Sequence, residues 1–261
     1  MKELREVLLR TINEAGDVLM HYYGNLERVE TKSGEIDLIT EADCRSEETI
    51  IAGIRRTFPE HQILAEESGA RAPRSSEFRW VIDPLDGTTN YAHTFPAFCI
   101  SIGVERADSI VLGAVYNPYH RELFFAERGG GAFLNEKPIH VSQTGDLSQS
   151  LVVTGFAYDR RVRADYYLRF FRAFMMRCHG VRRMGSAALD MCFVACGRLE
   201  GYWEENLKPW DTAAGWLIVE EAGGRVSDYS GEKFAIEKKQ ILATNGLIHN
   251  EMREVLASCL K

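Results

Sequence analysis

Three carboxylates in this chain stand where an apolar run gives way to a turn, and a fourth opens a helix. Asp83 and Asp86 lie in Trp80-Val-Ile-Asp-Pro-Leu-Asp-Gly-Thr-Thr-Asn90, where a short buried strand is expected to end at Asp83-Pro84 and deliver both acids at its C-terminal end. Glu66 follows the apolar run Gln62-Ile-Leu-Ala65 in the same manner, and Asp211 sits in Pro209-Trp-Asp-Thr-Ala-Ala-Gly215, in the first turn of an expected helix. Hard oxygen donors without His or Cys suit Mg²⁺, with Mn²⁺ as a substitute. Pro84 fixes φ and offers no N–H, and Gly87 permits close backbone approach. The following Gly-Thr-Thr could open a helix whose free N–H groups face an anion. Carboxylates that attract a cation, beside amides that attract an anion, predict a site for a metal plus a phosphate.

Each feature taken alone has a plainer reading. A lone D-P-x-D is commonly a polar turn, and Asp211 could simply cap its helix. Asp43 could be a first-turn acid facing the helix dipole. Gly185-Ser-Ala-Ala188 could present amides to a ligand or merely pack tightly. Zinc is disfavoured, because the seven histidines are dispersed and none falls in H-E-x-x-H; His93 and His179 are the ones expected nearest the chemistry.

The elements that must position these groups follow from periodicity. Leu4, Leu8, Ile12, Ala15 and Leu19 recur at helical spacing and predict a first helix ending near Gly24. Residues 32–40 read as a loop and a short strand, after which Thr40 caps a second helix with Asp43 in its first turn and Pro59 as its stop. Residues 70–79 form a polar loop. Runs at 98–105, 110–116, 122–126 and 131–134, separated by turns, predict an antiparallel meander. Gly129-Gly130-Gly131 is a tight turn rather than a phosphate loop. After a boundary at 142–150, strands (151–154, 180–183, 200–203, 225–227, 241–244) alternate with helices (165–177, 186–195, 211–221 and from about 248). The halves 1–145 and 146–261 are thus expected to form one continuous unit, the second a βα layer completing a sandwich with the first.

Composition narrows the class. With 261 residues, 45% apolar and 26% charged, the chain has ample material for a core. A net charge of -7 argues against a general nucleic-acid surface. It would also repel an anionic substrate unless bound cations reverse the local field. The six cysteines make no C-x-x-C pair and fit a reducing cytosol. No signal peptide and no run of membrane-spanning length is read, so a cytoplasmic protein without a membrane partner is expected.

The segments 80–90 and 210–215 resemble the two signature segments of the inositol monophosphatase family. Asp37-Leu-Ile-Thr-Glu-Ala-Asp43, Ala65-Glu-Glu-Ser68 and Gly185-Ser-Ala-Ala188 fall at that family's intervals and order. The resemblance implies an α/β (α+β) fold, a layered αβαβα sandwich of the fructose-bisphosphatase type. It also implies a lithium-sensitive phosphatase using two or three Mg²⁺ ions. Residue by residue, Glu66, Asp83 and the carbonyl of Leu85 resemble the ligands of one ion, and Asp83, Asp86 and Asp211 those of a second. Gly87 and Thr88 match phosphate-holding positions, and Thr88 with Asp43 matches the pair that positions and deprotonates the attacking water, Glu66 standing with them at the reacting centre. Asp86, Ala187 and Glu204 match positions that meet the substrate's hydroxyls. The implied substrate is myo-inositol monophosphate, and the implied assembly a homodimer. Alternatives of the same fold act on fructose 1,6-bisphosphate, histidinol phosphate or 3′-phosphoadenosine 5′-phosphate, and Arg160, Arg161 and Arg163 could meet a second phosphate. Some bacterial members are transcription-complex partners, and Arg182-Arg183-Met-Gly185-Ser-Ala-Ala resembles their sequence, which implies RNA polymerase as another partner.

Overall fold

The computed structural model describes residues 1–26, 29–31, 38–70 and 76–260. The expected residues 32–37 and 71–75 of two loops, and Asp37 with them, lie outside the described residues. Within the described residues, helices and sheets alternate in five layers. α1 (Lys2–Tyr22) turns Leu4, Leu8, Ile12, Ala15 and Leu19 inward, as their three- and four-residue spacing requires. A small antiparallel pair, β1 (Val29–Thr31) and β2 (Leu38–Thr40), leads into α2 (Glu41–Thr57). These two helices cover one face of an eight-stranded sheet, burying Ile50, Ile54, Trp80, Ile82 and Ile102.

That sheet contains β3 (Gln62–Ala65), β4 (Gly69–Ala70), β5 (Phe78–Asp86), β6 (Cys99–Arg106), β7 (Ser109–Asn117), β8 (Glu122–Glu127), β9 (Gly131–Leu134) and β10 (Lys137–Pro138). Its order is β10-β9-β8-β7-β6-β5-β3-β4. The meander is as expected, and only β3 against β5 is parallel. One expectation fails: β5 does not end at Asp83 but continues to Asp86, with a register shift between them. Asp83 pairs with Ser101 and Asp86 with Cys99, so three steps on β5 oppose two on β6. In a regular strand residues three apart point to opposite faces. The extra residue of the bulge returns both acids to one face, and Pro84 sits where the disrupted ladder asks for no N–H.

After α3 (Thr88–Ala92), at the end of β5, and the meander, a second sheet follows. It is built from β11 (Leu151–Thr154), β12 (Gly180–Arg182), β13 (Gly201–Glu205), β14 (Arg225–Ser227) and β15 (Gln240–Thr244), in the order β12-β11-β13-β15-β14. β11 runs parallel to β12 and β13, and the remaining pairs are antiparallel. β13 extends two residues beyond the expected end at 203, which places Glu204 inside a strand. α4 (Ala164–Met175) and α7 (His249–Cys259) cover its outer face through Phe170, Phe174, Trp203 and Met252.

Between the sheets lie α5 (Ala187–Ala195) and α6 (Pro209–Glu221), buried on nearly every side. Neither has a polar stripe, as expected of helices enclosed by two apolar faces. The approach is close. A Cβ on Gly103 would stand 2.8 Å from the Ala213 Cβ, and one on Gly113 2.9 Å from the Ala214 carbonyl oxygen. Small residues on both partners are what let α6 reach the sheet. All six cysteines are free thiols, and Cys192 packs in this central core. Among the described residues no helix is long and apolar enough to cross a membrane.

Candidate active site

The bulge in β5, the turn after β3 and the first turns of α2, α5 and α6 converge on one place. Glu66 follows β3, and its backbone N–H donates to the Ile82 carbonyl at 3.1 Å. Its turn is held from behind by Glu47 of α2, whose carboxylate accepts the Glu67 N–H at 2.8 Å and the Ser68 N–H at 3.0 Å. Ser46, its neighbour, donates to the Pro84 carbonyl at 2.8 Å. One helix thus fixes the ends of both acidic strands.

Asp83 is buried, and one of its oxygens accepts the Leu85 N–H at 3.0 Å. Asp86 accepts the Ser186 hydroxyl and the Ala188 N–H through the same oxygen, both at 2.7 Å. The Gly-Ser-Ala-Ala segment therefore does present an amide, but to a carboxylate. Asp211 accepts the Lys208 N–H at 2.7 Å through Oδ2, so its capping role is real as well. Burial pushes the Asp83 carboxyl well above its ordinary range, and the charges of Glu66, Asp86 and Asp211 push it further. Burial raises Asp86 to about 6 against the pull of Ser186 and Ala188. Asp211 is raised by burial and then by Asp86 and Glu66. Each of these three aspartates is disfavoured as an anion by burial and by neighbouring acids, which is the electrostatic signature of a cation site. Among the described residues no three His, Cys, Asp or Glu side chains lie at a spacing that would hold a metal ion. The donor set, all hard oxygen, fits Mg²⁺.

Asp43 shares its carboxylate between two tasks. Oδ2 accepts from the Thr40 backbone N–H at 2.8 Å and from its hydroxyl at 2.6 Å, while Oδ1 lies 3.2 Å from the Thr88 hydroxyl. That hydroxyl is also 3.0 Å from the Leu85 carbonyl. Gly87 starts α3 with φ of 93°. A Cβ there would come within 2.8 Å of the Ala97 carbonyl oxygen, so only glycine fits both the angle and the space. Asn90 ties this loop to the turn before α5, its Nδ2 lying 2.6 Å from the Ala97 carbonyl and 2.8 Å from that of Met184.

The chain matches the inositol monophosphatase family over residues 1–261. It belongs to that family. An inositol-1-monophosphatase of Synechocystis is 47% identical over 253 residues, 97% of this chain and 88% of its own length. A putative Nus factor SuhB of Neisseria meningitidis is 38% identical over 259 residues, 99% of both chains. The structure of an inositol monophosphatase from Anabaena superposes with a TM-score of 0.89 at 45% identity, covering 98% of this chain and 96% of that one. The sandwich of the inositol monophosphatases is therefore the fold of this chain.

Two further candidate residues lie at the start of α5 and within β13. Ala187 opens α5, and its amide with that of Ala188 steadies Asp86. Glu204 is buried, raised to about 7 by burial, and Oε2 accepts the Tyr202 hydroxyl at 2.7 Å. Gly155 faces it so closely that a Cβ would fall 2.0 Å from its oxygens. His93 and His179, expected near the chemistry, are both exposed. Of the three arginines considered for a second phosphate, Arg163 is engaged by Asp159 at 3.1 Å and Glu205 at 3.0 Å. Ser186 and Asn90 lie inside motifs visible in the sequence. Glu47 and Gly155 had no such signal, since one is a Glu on a polar helix and the other a Gly after a strand.

Proposed function

We propose that this chain is a Mg²⁺-dependent phosphomonoesterase that hydrolyses myo-inositol monophosphate to inositol and phosphate, with water as the nucleophile. The observation that carries the reading is the Thr88–Asp43 hydrogen bond, 3.2 Å long, beside four mutually repelling carboxylates. Magnesium, when held by Glu66, Asp83, the Leu85 carbonyl, Asp86 and Asp211, supplies positive charge that offsets the phosphate and lowers the pKa of a coordinated water. Two or three such ions, replaceable by Mn²⁺ and inhibited by Li⁺, belong to this proposal.

The chain's own groups do the rest. The Thr88 hydroxyl donates toward Asp43 and keeps lone pairs to orient a water, whose proton passes toward the Asp43 carboxylate. The backbone N–H groups of Gly87 and Thr88, at a helix start, hold phosphate oxygens in line with that water. Ala187 and Asp86 border the leaving alcohol, and Glu204 accepts from its hydroxyls through Oε1. An acidic wall there favours a polyol over a second phosphate, which would need basic partners. The protein is proposed to work in the cytoplasm as a homodimer.

The deciding experiment is phosphate release from myo-inositol monophosphate, fructose 1,6-bisphosphate, histidinol phosphate and 3′-phosphoadenosine 5′-phosphate, with Mg²⁺ and with or without Li⁺. Fastest turnover on the inositol ester, lost with Li⁺, is expected; preference for a bisphosphate would overturn the substrate assignment. A second reading, association with RNA polymerase, is supported by the exposure of Arg182 and Arg183 next to the site. It predicts that the Asp83→Asn protein, catalytically dead, still captures RNA polymerase.

A further inference from the structure

At the bulged end of β5, Asp86 pairs across the sheet with Cys99, the first residue of β6. The Cys99 side chain is fully buried, with Sγ 3.8 Å from Asp86 Oδ2 and 3.5 Å from the Ser186 hydroxyl oxygen. That hydroxyl, also buried, donates to Oδ2 at 2.7 Å, and the Ala188 N–H donates to the same atom at 2.7 Å. Ser186 at the same time caps α5, accepting the Leu189 N–H at 3.4 Å. Its single O–H is committed to Asp86, so the thiol hydrogen is the donor left to serve Oδ2 and the Ser186 oxygen. Three donors, from β6 and from the start of α5, thus converge on one oxygen of one carboxylate, and none of these bonds involves Oδ1.

A buried cysteine is ordinarily a small apolar filler. Here its sulfur lies within reach of both a carboxylate and the hydroxyl that holds that carboxylate. An ionised carboxylate oxygen offers about two lone pairs, and the Ser186 and Ala188 bonds use both on Oδ2. The thiol, a weak donor at longer range, closes the remaining approach to that atom. We propose that Cys99 is a positioning residue for Asp86 which, with Ser186 and Ala188, confines it to binding a cation through Oδ1 alone and so favours Mg²⁺ over Ca²⁺. Mg²⁺ keeps a strict octahedral shell of single-oxygen contacts, whereas Ca²⁺ takes about six to eight oxygens and gains from a carboxylate that offers both of its own. With Oδ2 occupied, Asp86 has no second oxygen to give the larger ion. The inference rests on the reading of Asp86 as a cation ligand.

Titration calorimetry of the metal-free protein with Mg²⁺ and with Ca²⁺, without substrate, provides the test. The readout is the ratio of the Ca²⁺ to the Mg²⁺ dissociation constant, which a residue that merely fills space leaves unchanged. Ser186→Ala, which frees a lone pair on Oδ2, should lower the ratio about tenfold, in line with the loss of a group that orients a metal ligand. Cys99→Ala should lower it about threefold, because a thiol is the weaker donor. Cys99→Ser keeps a donor in place of the thiol and should hold the ratio within about twofold of the wild type. Should Ser186→Ala, which also loses the cap of α5, fail to fold, Cys99→Ala carries the test alone. An unchanged ratio in the folded variants, even with a lowered melting temperature, overturns the proposal, and so does an equal fall in Cys99→Ala and Cys99→Ser. A wild type that binds neither ion overturns the metal reading itself, and this inference with it.

Discussion

At Asp43 one oxygen caps α2 and the other accepts the Thr88 hydroxyl, and at Asp211 one oxygen accepts the Lys208 N–H of its own helix start. The capping reading and the chemical reading of these residues are therefore compatible, because a carboxylate has lone pairs on both oxygens. This predicts a separation of effects. Asp83→Asn should lower Mg²⁺-dependent phosphate release by about a thousandfold or more while leaving the melting temperature unchanged or higher, since it removes one of several repelling charges. Near-normal turnover in that variant would contradict the carboxylate-cluster mechanism. Asp211→Asn keeps an oxygen to cap α6, so the fold should persist and the loss should appear as a raised Mg²⁺ requirement. An Mg²⁺ titration superimposable on the wild type would remove Asp211 from the metal site.

Among the elements, α2 has the widest influence on the site without contributing most of its acids. Its Asp43, Ser46 and Glu47 reach respectively the Thr88 hydroxyl, the Pro84 carbonyl and the amides of Glu67 and Ser68. Glu47→Ala leaves two N–H groups without their acceptor and should cost about 1–3 kcal/mol in urea denaturation. It should also raise the Mg²⁺ requirement, because the turn that carries Glu66 loses its support. A stability loss with an unaltered Mg²⁺ titration would show that Glu47 serves the fold alone. The bulge in β5 works in the same sense, since one extra residue brings Asp83 and Asp86 to a common face.

For the molecule as a whole, these buried acids make stability depend on pH and on cation. Glu204 is shifted from 4.5 to about 7 and Asp86 from 3.8 to about 6, while Asp83, Asp190 and Asp211 are raised well above the ordinary range. The folded chain then holds protons that the unfolded chain has released, so these groups lower stability as pH rises through that interval. His249, lowered from 6.5 to about 4, acts in the opposite direction between those two values. Above its ordinary 6.5 the histidine term is complete, while Glu204, raised to about 7, still titrates. Calorimetry without divalent cation should therefore show the melting temperature falling from about pH 6.5 to 7, where the folded chain still holds the Glu204 proton. Saturating Mg²⁺ should raise it, and more at the upper pH, because the cation binds the ionised native acids. A melting temperature that climbs across this range without Mg²⁺ would refute the assignment.

Local pattern alone determined the helix stripe of α1, the antiparallel meander and the two acidic segments, because period, turn residues and donor type are properties of adjacent residues. The family resemblance, carried by those same segments, extended the reading to Glu204 and Ala187. Tertiary structure decided what no local pattern encodes. It carried β5 through Pro84 on a bulge, because pairing with β6 continues to Cys99. It gave Glu47 its purpose, since the amides it accepts lie on a turn twenty residues away. It left Asp190 unpartnered in the sheet-enclosed layer, where only the packing of α5 between two sheets removes a carboxyl from water. Sequence determines which groups are available for chemistry; burial and long-range contact decide which of them repel, which are held, and which stand alone.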